Sequence, residues 1–145
     1  MSDAAHHSKA AAEPTGAYAH ARRVGNVLYL AGIGPRQRGT KVIPGVVLDA
    51  TGNVVSYDIE AQVRSCFKNL RIVLEEAGFA WNEIVDMTVF MTDLRRDFAT
   101  FNKLFGEYFA DAATSPTRTS MEVSRLPQAG NAPINFEVKV IAAKA

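Results

Sequence analysis

The sequence predicts an α+β fold in which two helices cover one face of a single β-sheet. Three observations lead to this prediction. Short segments alternate apolar and polar residues, as half-buried strands do. Two longer segments repeat apolar residues at every third or fourth position, as amphipathic helices do. With 145 residues, of which 48% are hydrophobic, the chain is large enough for one domain with its own core.

The N-terminal end is predicted to be a flexible tail. Residues 1–14 are rich in alanine and polar residues and lack apolar periodicity, so we place the folded domain at residues 15–145. The chain has no secretory signal and no run of about 18 apolar residues that could span a membrane. A single cysteine, Cys66, excludes an intrachain disulfide and suits a reducing compartment. We therefore expect a soluble, cytoplasmic protein.

A hairpin is expected to open the domain. The apolar run Val27–Leu30 predicts a strand, which should pair with residues 18–23 through a turn at residues 24–26. Turn-forming residues dominate the stretch that follows, and one further strand is predicted near residues 42–48.

Two helices follow from the apolar repeats. The first covers residues 59–77 and ends at Gly78. The second covers residues 97–109, and Asn102 falls inside its apolar stripe. A buried amide needs hydrogen-bond partners, so Asn102 is either satisfied by the backbone or borders a pocket. The stripe of the second helix is formed by Phe98, Phe101, Leu104, Phe105, Tyr108 and Phe109.

Three strands complete the sheet. Residues 84–91 are predicted to be a buried central strand with Val85, Met87, Val89 and Met91 on one face. Residues 114–127 and 135–140 are predicted to lie on neighbouring strands, which would bring Arg118 close to Glu137. Alternation sends Arg118, Ser120 and Glu122 to one side of their strand, and Thr119, Met121 and Val123 to the other.

Composition disfavours several classes of partner. Sixteen basic and 15 acidic residues give a net charge of +1 without a basic stripe, so we expect neither nucleic acid nor an anionic membrane as the main partner. His6, His7 and His20 are not spaced with cysteines or carboxylates as a metal site requires, so no metal is expected.

Six ordered motifs lie at residues 16–18 with Ala21, 26–32, 89–94, 97–102, 115–118 and 122–127. Together they resemble the reactive intermediate deaminase (Rid) family, formerly called YjgF. The resemblance implies a chorismate-mutase-like α+β fold, a homotrimer with sites at the subunit interfaces, and hydrolysis of enamines or imines to ketones and ammonia. No cofactor is implied, because a protonated imine is already electrophilic.

The same resemblance implies roles for individual residues. It makes Arg118 the group that binds the substrate carboxylate, and Glu137 the group that positions and activates water. Tyr18 and Asn102 would line the pocket, and the backbone near Ser120 would donate to the carboxylate. A guanidinium can hold a carboxylate through two parallel hydrogen bonds, which suits Arg118 to this role. The alternative is that Arg118 and Glu137 form a purely structural pair.

Departures from the family pattern suggest a particular substrate. The segment Ala31-Gly-Ile-Gly34 lacks the usual serine and glutamine, the next loop brings Arg36 and Arg38, and the last hairpin, residues 128–133, is longer than usual. Two arginines could hold a second carboxylate, so the sequence most resembles the 2-aminomuconate deaminase branch of aromatic-compound catabolism. The predicted enzyme is then a hydrolase acting on a C–N bond that yields 4-oxalocrotonate and ammonia.

Other interpretations stay open at this point. Arg36 and Arg38 could be solvated loop charges. The chain could be a general deaminase of 2-iminobutanoate and 2-iminopropanoate, or a non-catalytic trimer that binds a small carboxylate, a protein or RNA.

Overall fold

A computed structural model describes residues 3–127 and 133–145, and it confirms the α+β fold with a mixed sheet and two helices. The main sheet has the strand order β1-β2-β3-β8-β6-β7, in which only β6 and β7 run parallel. A separate two-stranded sheet contains β4 and β5. The elements are β1 (Ala4–His6), β2 (Ala21–Val24), β3 (Val27–Leu30), β4 (Val46–Leu48), β5 (Val54–Tyr57), α1 (Ile59–Glu76), β6 (Ile84–Met91), α2 (Leu94–Tyr108), β7 (Thr117–Glu122) and β8 (Phe136–Ala143).

The predicted first hairpin is present as β2 and β3. Val24 pairs with Val27, which leaves two residues in the turn. Gly25 has a φ of 58°. A two-residue turn between twisted strands requires this left-handed backbone, and glycine adopts it without steric cost.

The structure corrects the expectation of a flexible tail. β1 pairs antiparallel with β2 and forms one edge of the main sheet, with Ala4 opposite Arg23 and His6 opposite Ala21. Three residues give too short a segment for periodicity to reveal a strand. The described fold therefore starts before the predicted boundary at Thr15.

Both helices form where the apolar repeats predicted them. The Asp58 side chain accepts hydrogen bonds from the first free backbone N–H groups of α1, and Gly78, with a φ of 83°, ends the helix. Asp93 caps α2 by accepting from the backbone N–H of Arg96, so this helix starts three residues before its predicted start. The core between helices and sheet includes Val63, Phe67, Leu70, Leu74, Phe101, Leu104, Phe136, Val138 and Val140, all at most 2% exposed.

The β4–β5 hairpin was only half predicted. The sequence indicated one strand near residues 42–48, whereas the structure also forms β5. Asp49 nucleates the turn by accepting from the backbone N–H groups of Thr51 and Asn53. The Tyr57 hydroxyl then donates to Asp97 at 2.7 Å, which fixes the hairpin to α2.

β6 is an interior strand that pairs with β8 on one side and β7 on the other. Met87, Val89 and Met91 are fully buried, as predicted. Val85 is not, because the pairing with β8 is irregular between Ile84 and Asp86 and the side chain is 45% exposed. No helix in the described part of the chain is long and apolar enough to cross a bilayer.

Candidate functional site

Glu137 presents an isolated carboxylate on the face of the sheet that lies opposite the helices. On β8 it alternates with Phe136 and Val138, which are fully buried in the core. Burial raises the pKa of Glu137 above its ordinary value. Among residues 3–127 and 133–145 the carboxylate has no hydrogen-bond or ion-pair partner.

The backbone of the segment after β3 brings a glycine against this carboxylate. Ile33 and Val138 exchange backbone hydrogen bonds of 2.8 and 3.0 Å, which sets Gly32 beside Glu137. A Cβ atom on Gly32 would lie 2.9 Å from Glu137 Oε2. Only a residue without a side chain leaves the carboxylate in this position.

Glu137 lies in the wall of a cavity of about 100 Å³. The wall is made by the N-terminal strap, which we define as residues 8–14, by the segment after β3, and by residues that flank the last hairpin. Polar groups from several elements converge there with apolar ones, as in ligand pockets. Besides Glu137, the polar or charged side chains of the wall are those of Glu13, Thr15, Tyr18, His20, Arg36 and Asn69.

Arg118 lies on the edge strand β7 and stacks under the aromatic rings of α2. Its guanidinium carbon is 5.6, 5.1 and 4.7 Å from the ring centres of Phe98, Phe101 and Phe105. These distances fit cation–π attraction. Burial lowers the pKa of the Arg118 guanidinium, and within the described residues no carboxylate pairs with it. The cation therefore has no counter-ion among the described residues.

The structure does not bring Arg118 and Glu137 together within one chain. β6 lies between β7 and β8, so the prediction of neighbouring strands is wrong. Parallel pairing sets Arg118 beside Met87 on the helix face, whereas Glu137 pairs with Phe90 on the opposite face. The side of β7 that carries Arg118 and Ser120 is thus the side that meets the helices. Alternation along a strand shows which residues share a side, but not which side meets the helices.

The predicted pocket residues are placed unequally. Tyr18 lines the cavity, with its hydroxyl 3.3 Å from the Thr15 backbone nitrogen. Asn102 is exposed on α2 and is absent from the cavity wall, so its expected burial in the apolar stripe is wrong. Ser120 shares its face with Arg118, and its buried hydroxyl oxygen has no partner in the described part of the chain.

Arg36 and Arg38 are not solvated loop charges. Arg36 lines the cavity and forms an ion pair of 3.2 Å with Glu13. Arg38 donates to the backbone oxygens of Ala11 and Ser8, each at 2.8 Å, and pairs with Glu13 at 3.3 Å. Both side chains hold the N-terminal strap against the domain.

Comparisons with known proteins agree with this architecture. Residues 8–144 match the family described as endoribonuclease L-PSP, which includes the Rid/YjgF proteins. The chain belongs to this family. It is 34% identical to a RutC family protein of Pyrococcus horikoshii over 92% of both chains. It is 35% identical to Escherichia coli TdcF, provisionally named a reactive intermediate deaminase, over 68% of this chain and 72% of that one.

Solved structures of Rid/YjgF proteins superpose on nearly the whole chain. The YjgF gene product of E. coli has a TM-score of 0.79 at 28% identity and covers 98% of this chain and 99% of its own. E. coli TdcF with bound serine has a TM-score of 0.75 at 29% identity, with 93% and 94% covered.

Sequence reasoning missed several residues that shape this Rid/YjgF cavity. His20 is 5% exposed, and its Nδ1 accepts from the Ser8 backbone N–H while its Nε2 donates to the Ala12 oxygen. Asn69 donates to the backbone oxygens of Gly34 and Arg36 and so holds the loop after β3. No local motif reveals these contacts, because each joins residues that are distant in sequence. The expected longer hairpin at residues 128–133 lies almost wholly outside the described residues.

In the same described residues, no three or more histidine, cysteine or acidic side chains gather where they could hold a metal ion.

Proposed function

We propose that this protein hydrolyses a small imine or enamine that carries a carboxylate, and releases ammonia. The observation that carries the proposal is the unpaired Glu137 carboxylate in the cavity wall, whose pKa is raised by burial. A base with a pKa raised toward neutrality accepts a proton readily at neutral pH. The provisional name of TdcF and its structure with bound serine support the same substrate class.

The proposed reaction uses two groups of the chain. Arg118 holds the substrate carboxylate, which fixes the adjacent carbon–nitrogen double bond. Glu137 takes a proton from water as the oxygen adds to the protonated imine carbon, which gives a carbinolamine. The same proton then passes to nitrogen, Glu137 takes the hydroxyl proton of the carbinolamine as the carbon–nitrogen bond breaks, and the ketone forms. The departing ammonia takes this proton from Glu137 and leaves as ammonium.

Because Arg118 and Glu137 face opposite sides of one sheet, we propose that each site combines Glu137 of one copy with Arg118 of another. The resemblance to the Rid family implied a homotrimer with sites of this kind. The cavity volume supports the proposal. A usual ligand pocket has roughly 300 Å³, and the cavity of about 100 Å³ in one chain would reach that size if a second copy added a further wall and enclosed more space.

The finer assignment concerns the substrate. The presence of Arg36 in the cavity wall supports a dicarboxylate such as 2-aminomuconate, which would place the protein in the cytoplasmic breakdown of aromatic compounds. The Glu13 carboxylate on Arg36 supports a monocarboxylate such as 2-iminobutanoate instead. The first remains our leading substrate from sequence, and the second is the alternative that the contacts favour.

Ammonia release tests the proposal directly. 2-Aminomuconate and 2-iminobutanoate are generated by auxiliary enzymes, and ammonia formation is followed with and without this protein. Acceleration of either reaction that is lost in Glu137→Gln supports the deaminase. If neither substrate responds, or if Glu137→Gln keeps the full rate, the proposal fails and a non-catalytic binding protein becomes the better explanation.

A further inference from the structure

The arginine at the cavity already holds a carboxylate that belongs to the chain itself. Arg36 Nη1 donates to Glu13 Oε2 at 3.2 Å, and Arg36 Nη2 donates to the backbone oxygen of the same residue. Both terminal nitrogens of Arg36 are therefore engaged by Glu13. A planar guanidinium offers a carboxylate two parallel donors, and Glu13 takes the place that an incoming carboxylate would need.

The two partners of this ion pair differ in how freely they can move. The Arg36 side chain is 15% exposed, whereas that of Glu13 is 46% exposed. Glu13 can turn toward solvent without uncovering the core, while Arg36 stays in the cavity wall. Ion pairs with an exposed partner contribute little free energy, so a competing anion can displace the Glu13 carboxylate.

Arg38 cannot be released for a ligand carboxylate in the same way. Arg38 is tied by its Nε and Nη2 atoms to two backbone oxygens of the strap, and only its Nη1 meets Glu13. If the Glu13 side chain turns away, Arg36 Nη1 becomes free at the cavity, while Nη2 stays bonded to the Glu13 backbone oxygen.

We propose that Glu13 determines substrate specificity, because it occupies Arg36 as a built-in carboxylate and competes with the distal carboxylate of a dicarboxylate ligand. A monocarboxylate held at its single acid group does not meet this competition. The inference rests on the proposed function, since it takes this cavity to be the place where the substrate lies.

A binding experiment with unreactive ligands tests the inference. trans,trans-Muconate and trans,trans-sorbate share a six-carbon diene and differ by one carboxylate. Glu13→Gln keeps the size of the side chain and removes its charge. We expect calorimetry to show that the affinity for muconate, relative to that for sorbate, rises about fivefold in this variant, as loss of the exposed ion pair with Arg36 allows.

Two further variants separate this effect from a general change of charge. Glu107→Gln removes an equally exposed carboxylate that does not line the cavity and forms an ion pair of 3.2 Å with Arg64. This variant should leave the ratio of affinities unchanged. In a chain that also carries Arg36→Gln, Glu13→Gln should no longer raise the ratio. The inference is overturned if Glu13→Gln leaves the ratio unchanged, if muconate binds to neither protein, or if the gain persists without Arg36.

This test is independent of turnover, so the two proposals can fail separately. If the relative affinity for muconate rises in Glu13→Gln but no imine releases ammonia, the deaminase is overturned and the role of Glu13 in ligand choice stands. If ammonia is released but the relative affinity for muconate does not rise, the role of Glu13 is overturned and the deaminase stands.

Discussion

At the scale of single residues, Glu137 combines a functional advantage with a cost in stability. A carboxylate that is largely buried without a partner loses hydration, which raises its pKa and disfavours its charged form. The same burial that suits Glu137 to its proposed role as a base therefore lowers the free energy of unfolding whenever the group is ionised.

Glu137→Gln should make the folded protein more stable at neutral pH. The amide fills the same space without a charge, so we expect the Tm to rise by a few degrees, on the order of 2 °C. The pKa of Glu137 is raised in the folded state, so its ionisation does not lower the free energy of unfolding below the pKa of an exposed glutamate, about 4.3. The full loss applies above the pKa of Glu137 in the folded state. Thermal unfolding at several pH values should show the two Tm values converging as the pH falls. A lower Tm of the variant at neutral pH would contradict this account.

Gly32 sets the position of Glu137, and its replacement should impair activity more than folding. In Gly32→Ala the new Cβ would lie 2.9 Å from Oε2 and 3.0 Å from Cδ of Glu137, so the carboxylate must move. Displacement of a reacting group by about 1 Å costs large factors in rate, and we expect kcat/KM for imine hydrolysis to fall about tenfold or more.

Gly106→Ala is the matched control for this substitution. A Cβ on Gly106 in α2 meets no atom within 4 Å, and alanine is favoured over glycine in a helix. This variant should keep the rate of the unaltered protein. Equal losses of kcat/KM in both alanine variants would show that Gly32 has no special relation to Glu137.

At the scale of secondary-structure elements, the sequence was most informative where periodicity was sustained. α1 and α2 extend over 18 and 15 residues, long enough for apolar residues to mark one face several times. β1 has three residues and β5 has four, and in such short segments no repeat can be distinguished from chance. Their strand structure depends on partners elsewhere in the chain.

The candidate site was predicted in its residue types but not in its assembly. Glu137 and Tyr18, whose roles the resemblance to the Rid family implied, do lie in one cavity wall. The position of Arg118 depends on the insertion of β6 between β7 and β8, a pairing between distant segments that no local pattern encodes. Long-range pairing also determines which face of β7 meets α2.

The N-terminal strap is held by side chains that can be removed singly. His20 accepts from the Ser8 N–H at 3.0 Å and contacts the Ala12 oxygen at 2.7 Å. Loss of the ring leaves these groups without partners. His20→Ala should therefore lower the free energy of local unfolding of the strap by roughly 1–3 kcal/mol. We expect faster hydrogen exchange in residues 8–12, measured by mass spectrometry. His7→Ala, which removes an exposed ring, is the control, and equal exchange in both variants would contradict the role of His20.

At the scale of the whole molecule, the fold keeps the two residues of the proposed site apart within one chain. The unpaired cation on β7 and the unpaired carboxylate on β8 lie on opposite faces of the same sheet. Neither charge is paired within residues 3–127 and 133–145, and under the proposed assembly Arg118 of one copy faces Glu137 of another. Closed association of identical chains repeats such a contact around a symmetry axis, which fits the expected trimer.

Mixing two inactive variants tests this shared site. Arg118→Ala keeps Glu137, and Glu137→Gln keeps Arg118, so each protein alone should release almost no ammonia. After the two are unfolded together and refolded as mixed trimers, about a quarter of the interfaces should combine one intact Glu137 with one intact Arg118. Because an intact interface is a complete site, activity should return to roughly that fraction of the unaltered protein's rate. The control is each variant refolded alone, whose size in solution also reports the oligomer. If mixed trimers form and stay inactive, the assembly proposed here is wrong. If Arg118→Ala refolded alone keeps the full rate, Arg118 takes no part in the reaction and the assembly is wrong as well.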